Sequence, residues 1–202
     1  MQQKRKNLIR KMVIAALFGA IGFILMVLEF AIPIIPSFIK LDFSELPALL
    51  ASFSIGPWWG ILVCLIKNLM HLFLSSTMGI GELSNFIIGS VFVFTAGMFY
   101  KHRKTRGMAF WGSLTGAVAM SVISVFSNYY IVYPIYAKLF MPMEAILGMY
   151  KAILPSVTDL WSALLIFNLP FTFIKGMISV AITFICYKYL SPLIKGEKRT
   201  KR

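Results

Sequence analysis

The chain alternates long apolar runs with short polar breaks. Met12–Phe30, Phe86–Phe99 and Phe171–Tyr187 are apolar or nearly so over most of a bilayer's thickness. The pattern predicts a first helix from about residue 8 to about 31, broken by Pro33 and Pro36. After an outward loop, Pro33–Phe43, Ser44 and Pro47 open a short apolar segment that ends at Gly56-Pro57. A third helix is expected from Trp58 to about Ser75, and a turn with Gly79 and Gly81 leads to a fourth, about 83–100. The fifth runs from about Met108 to Tyr133, stopped by Pro134, and the sixth from about 164 to 189, where Pro170 marks a candidate kink. About twelve residues is short for a crossing, so the second segment is expected to tilt or to lie partly inside the protein. Pro134–Trp161 has apolar residues at helical spacing between Met141 and Leu154. That suits either an amphipathic segment covering the outer face or a helix on the lipid surface. No internal repeat is visible, so an inverted-repeat carrier finds no support.

Composition agrees with lipid as the solvent: 59% of residues are hydrophobic, 13% are charged, and the mean hydropathy is +0.82. The first run is too long for a cleavable signal and lacks a small-x-small site. The net charge of +13 raises nucleic acid as a partner, but the placement of the charge argues against it. Fifteen of the twenty Lys and Arg residues fall in three clusters: Lys4–Lys11, Lys101–Arg106 and Lys188–Arg202. Six of the seven acids lie elsewhere, and each cluster abuts an apolar segment. Six crossings put all three clusters on one side, as the positive-inside rule requires of a cytoplasmic face. The expected architecture is an all-α integral membrane protein with six transmembrane helices and cytoplasmic N- and C-termini. It is a single domain, 1–202, with basic tails at approximately 1–7 and 191–202. Cys64 and Cys186 sit in apolar runs without neighbouring ligand residues, and read as small buried side chains.

Ionisable groups inside a bilayer are costly and therefore candidates for function. Lys67 and His71 lie one turn apart on one face; Lys67 reads as a structural partner of Glu45 or Glu82, or as part of a site. Lys175 has no acid within reach on its own helix, which favours a ligand-facing role. Glu29 is near the outer end of the first helix, where a solvated or paired carboxylate is expected. The stretch from Lys40 through Leu41 and Asp42 to Glu45 either offers donors and carboxylates at an outer mouth or caps the second helix through Ser44. Asn85 and Asn128 lie near the outer ends of the fourth and fifth helices. Singly, such residues bond helix to helix. Together they suggest an outward pocket walled by Phe43, Tyr129, Tyr133 and Phe171. Ala15, Ala16, Gly19 and Ala20 form overlapping small-xxx-small pairs, suited to packing within the chain or to docking a partner; Gly112 and Gly116 form another. The chain has no P-loop, His-Glu-x-x-His, Gly-x-Ser-x-Gly or Cys-x-x-Cys, and its two histidines cannot build an ordinary hydrolytic metal site. Catalysis, a resident cofactor and a metal are not expected.

Several of these residues also carry a resemblance. Lys40-Leu41-Asp42-Phe43-Ser44-Glu45-Leu46-Pro47-Ala48, Ile66-Lys67-Asn68, Asn85-Phe86, Asn128-Tyr129 with Pro134, and Pro170-Phe171 with Ile174-Lys175-Gly176 resemble riboflavin-specific substrate-binding (S) components of energy-coupling factor transporters. The match runs over nearly the whole chain. It implies the six-helix S-component fold, with a vitamin site near the outer face. It also implies riboflavin as transported ligand, and a transmembrane coupling protein with two ABC-type ATPases as partners. By motif position, Lys175 and Asn128 look like side chains that bond the flavin, and the Leu41–Asp42 loop like its lid. Asn85, Thr172, Lys40 and Glu82 complete the expected site. Ala16 and Ala20 resemble the family's contact with the coupling protein. One departure is Thr172, where the family commonly has Asn; a hydroxyl bonds with fewer donors and shorter reach. The rivals to this reading are an S component for another vitamin, a solitary vitamin facilitator, and a membrane enzyme acting on lipid.

Overall fold

The computed structural model describes residues 2–195, with side chains through residue 185. Cys186 and the basic cluster Lys188–Arg202 lie outside the described side chains. Helix α1 spans Gln2–Val27. It begins within the basic stretch, so residues 2–7 are helical rather than a loose tail, and it ends four residues earlier than the apolar run suggested. The chain then forms a two-residue antiparallel ladder, β1 Phe30–Ala31 with β2 Lys40–Leu41, which modifies the all-α expectation. These four residues hold the ends of the 32–39 loop together.

Helix α2, Glu45–Ile55, resolves the short second segment. Eleven residues rise only ~16 Å, about half a bilayer core. Ala48, Leu49, Leu50 and Ala51 are almost wholly buried, and α2 packs against its neighbours on several sides, so it is a central post inside the bundle. Its neighbours include α3 (Pro57–His71, extended by a 3-10 turn to Leu74) and α4 (Ile80–His102).

Helix α5, Arg106–Ser127, starts at an N-cap, with the Thr105 hydroxyl accepting from the Met108 amide at 3.2 Å. Pro134 does not stop the helix. A π turn at Asn128–Val132 precedes α6, Tyr133–Leu139, and the helical run continues to Leu139. The proline ring clashes with a regular preceding turn and supplies no N–H; a wider turn ahead of it relieves both problems. Pro170 repeats the arrangement. Helix α8, Leu160–Ala163, opens on a capping box between Asp159 and Ser162. The π turn Leu164–Asn168 follows, and α9 runs Leu169–Lys195. The outer stretch between the two prolines holds α7, Met143–Ile153, an amphipathic helix that buries Ile146 and Tyr150.

Among the described residues, five helical stretches are long and apolar enough to cross a bilayer: Gln2–Val27, Pro57–Leu74, Ile80–His102, Arg106–Leu139 and Leu160–Ile185. The embedded α2 is the sixth element of the expected count. On the side of the bundle toward the Lys4–Lys11 and Lys101–Arg106 clusters, α4 and α5 approach closely. A Cβ on Gly116 would stand 2.8 Å from the Phe92 carbonyl oxygen, so α4 and α5 meet backbone to backbone there. The Gly112–Gly116 pair is therefore internal packing.

Candidate functional site

At the end away from those basic clusters the bundle opens. Met26 is at the end of α1, Glu82 and Asn85 at the start of α4, Asn128 at the end of α5, and all line one cavity. Phe38, Ile39, Lys40 and Asp42, with Phe171, Thr172 and Lys175, add to its walls. It offers about 120 Å³ to the centre of a water-sized sphere, several times what one water needs. The two π turns shape it. One extra residue per turn rotates the downstream helix by about 100°, and Tyr133, Tyr136, Phe171 and Thr172 all come after such a turn and face the cavity.

Lys175 is the central cation. Its Nζ donates to Asp42 Oδ2 at 2.8 Å and to Asn85 Oδ1 at 3.1 Å. An ammonium has three donors, so one N–H is left for a ligand. The missing acid on its own helix comes from a loop more than a hundred residues away in sequence. Asp42 also accepts from the Ser44 amide at 2.8 Å and from the Ser44 hydroxyl. Burial, the largest single effect, would raise the Asp42 carboxyl; the charges of Lys175 and Lys67 and the hydrogen bonds from Lys175 and Ser44 together outweigh it and hold it well below the usual carboxylate range. The bridge is thus complete above the ordinary Asp value of about 3.9 and is lost only as acid reaches the lowered one.

Lys67 proves to be a structural partner of Glu45. The pair is fully buried at 2.7 Å, and Lys67 also donates to the Ser44 hydroxyl. Ser44 consequently makes no capping bond to α2, contrary to the capping alternative; its hydroxyl is occupied between Asp42 and Lys67. His71 Nδ1 lies 2.8 Å from Glu82 Oε1, and the Ser75 hydroxyl donates to Oε2 at 2.8 Å. Glu29 is paired with Lys40 at the rim.

Of the expected site residues, Lys175, Asn128, Asp42, Thr172, Asn85, Lys40 and Glu82 all line the cavity. Asn128 accepts from the Ser84 hydroxyl at 3.1 Å. Leu41 is buried and lies outside that lining, because strand neighbours alternate and Lys40 takes the cavity side. Phe43 and Tyr129 are corrections. Phe43 packs on Phe30, and Tyr129 on Trp161 and Tyr130, leaving Tyr133 and Phe171 as walls. Sequence reasoning missed Phe38, Tyr136 and Asn168, all in the lining. Asn168 bonds the hydroxyls of Tyr150 (2.7 Å) and Tyr133 (3.3 Å), clamping α7 to both π turns. Its signal was an asparagine in an apolar run two residues before a proline.

On α1 the small residues divide. Ala15 and Gly19 face inward, while Ala16 is exposed and Ala20 half-buried, a separate outer line. Among the described residues no three His, Cys, Asp or Glu side chains are grouped to hold a metal ion.

An apolar bundle that keeps a recessed polar cavity at one end defines a membrane-embedded binding protein for a small ligand. Comparison with known proteins makes this particular. Residues 10–187 match the family described as "ECF transporter, substrate-specific component", and the chain belongs to that family. It is similar to the riboflavin transporter RibU of Staphylococcus aureus (strain TCH60), at 30% identity over 92% of this chain and 93% of the relative. It is also similar to the riboflavin transporter FmnP of Bacillus subtilis (strain 168), 31% identical over 94% and 96%. A solved structure, described as "Structure and mechanism of the S component of a bacterial ECF transporter", superposes with a TM-score of 0.73. It has 28% identity and covers 96% of this chain and 99% of that one.

Proposed function

We propose that this protein is the riboflavin-capturing S component of an ECF-type importer in a bacterial cell membrane. The observation that carries the reading is the convergence of Lys175, Asn85, Asn128 and Thr172 on one cavity walled by Tyr133 and Phe171. Riboflavin combines a flat ring, an edge rich in carbonyls and ring nitrogens, and a polyol tail. The ammonium and amides suit the ring edge, the aromatics suit its faces, and the carboxylates near the rim suit the hydroxyls. Each buried polar group left unpaired by a lesser analogue costs affinity, so the fit is selective.

The Lys4–Lys11 and Lys101–Arg106 clusters lie away from the cavity, so the positive-inside rule turns its mouth outward, with both termini cytoplasmic. With no P-loop in the sequence, energy comes from partners: a transmembrane coupling protein and two ABC-type ATPases. The chain is a binding subunit and no enzyme; the flavin is cargo, and no resident cofactor or metal is required. Ala16 and Ala20, on the lipid side of α1, are the contact for the coupling protein.

Titrating riboflavin into detergent-purified protein tests this. Saturable quenching of flavin fluorescence is expected. Saturable binding of thiamine or biotin with no flavin response would overturn the substrate and keep the fold.

A further inference from the structure

We infer that Ser44 and Lys67, neither of which lines the cavity, are positioning residues for the ligand's cation. A buried relay from Lys67 through the Ser44 hydroxyl to Asp42 holds the Lys175 ammonium in place at the cavity wall. This role rests on the flavin reading above, and the relay lies behind the groups that touch the ligand.

The polarity of the relay follows from its donors and acceptors. An ammonium only donates and a carboxylate only accepts. The single Ser44 hydroxyl hydrogen therefore goes to Asp42 Oδ1, and a lone pair on the same oxygen takes a Lys67 N–H. Asp42 Oδ1 also accepts from the Ser44 amide at 2.8 Å. With Oδ1 held twice, Oδ2 is turned to Lys175 at 2.8 Å, and Asn85 takes a second Lys175 N–H at 3.1 Å. The third N–H is left for the ligand. Bonds in such a chain polarise one another, so loss of the first link weakens the last. The Lys67 charge and the Ser44 hydrogen bond also help to keep Asp42 ionised against its burial.

Two features separate this relay from a staple between helices. Joining α2 to α3 needs only the Lys67–Glu45 pair, at 2.7 Å. Lys67 nevertheless spends a further N–H on Ser44, which occupies the N-cap of α2 and leaves that cap without a side-chain bond. An unused serine cap forgoes helix stability, and local rules are broken in this way mainly where a site requires it. The bundle also makes room for the anchor of the relay. A Cβ on Gly89 of α4 would stand 2.6 Å from Glu45 Oε2, and one on Gly22 of α1 3.4 Å from the Lys67 stem. Wholly buried Lys67 and Glu45 thus form the fixed end, from which a loop residue, Asp42, is set against Lys175 on α9.

Riboflavin titrations of the purified full chain, with melting temperatures alongside, test this. Ser44→Ala keeps both ion pairs and removes only the link; it is expected to weaken riboflavin binding about tenfold, the size of one hydrogen bond to a charged group. Lys67→Met with Glu45→Gln replaces the anchor by neutral groups. That double variant should regain most of the melting temperature lost in Lys67→Met alone, yet bind riboflavin about tenfold more weakly than the parent. Adding Ser44→Ala to it should change affinity by less than about twofold, because the hydroxyl no longer has an ammonium behind it. A plain staple predicts instead that affinity returns with stability. Parent-like affinity in Ser44→Ala or in the double variant overturns the proposal, as does a further tenfold loss when the two are combined. If the double variant does not fold, Ser44→Ala decides alone. Absence of any riboflavin response in the parent overturns the underlying functional reading, and this one with it.

Discussion

The two ends of the bundle solve opposite problems with the same helices. Toward the basic clusters the helices run unbroken, and glycines let α4 and α5 close until backbone meets side chain and carbonyl, as at Gly112 and Gly116. At the other end two of the helical runs that wall the cavity each carry a π turn before a proline, and charged residues are buried in pairs. One end is held by shape, which needs no partner but tolerates no added volume. The other is held by polar pairing, which tolerates a cavity but fails when one partner is removed. A binding protein needs both, a rigid base and an end whose polar groups are not all spent on each other.

Breaking a buried pair should have the largest effect. Lys67→Met leaves Glu45 without a cation in the core, and a loss of about 3–5 kcal/mol is expected. A fall in the melting temperature in detergent measures it. Adding Glu45→Gln should recover most of the loss, and failure to recover would mean that packing, not charge, matters there. Next comes the cavity's own pair. Lys175→Met removes the donor to the ligand and should weaken flavin binding by about 2–5 kcal/mol, with helical content retained by circular dichroism. Unchanged affinity in titration would remove Lys175 from the site.

The glycine contrast should be smaller. Gly116→Val presses on the Phe92 carbonyl and should cost about 1–3 kcal/mol of stability, read as a lower melting temperature. Gly148→Ala on α7, with open space around its Cβ, should instead gain up to about 1 kcal/mol. Smallest in binding, though large in transport, is the outer line of α1. Ala16→Leu with Ala20→Leu should alter flavin affinity by less than about 0.5 kcal/mol yet abolish uptake in cells. The reverse outcome would place that line inside the core.

Much of this contrast was legible in the chain. Apolar runs and basic clusters located the long helices and the side on which the cavity opens, because hydropathy and the positive-inside rule act on segments and need no tertiary detail. The polar outliers in those runs, Lys175, Asn85 and Asn128, are expensive in lipid, and they do converge on the cavity. Resemblance of motifs added the ligand class, which no single residue carries. Less legible were Phe38, Tyr136 and Asn168: aromatic and amide side chains are ordinary in a membrane helix until a neighbour shows which way they face. Nor was it legible that Lys40 rather than Leu41 faces the cavity, because a two-residue ladder, too short to leave a pattern, decides which of them turns inward.

Local composition and motifs suffice to say that the chain lives in a bilayer, where its long helices lie, which end carries the buried charges and which family it resembles. These follow from local composition, since burial of apolar surface and the cost of an ionised group in lipid are properties of a segment. The partners emerged only from packing: that Lys67 takes Glu45, that Lys175 takes Asp42 from a distant loop, and that Pro134 reshapes a helix instead of ending it. Pairing is a matter of distance and direction between residues far apart in the chain. Such geometry exists only once the helices have packed.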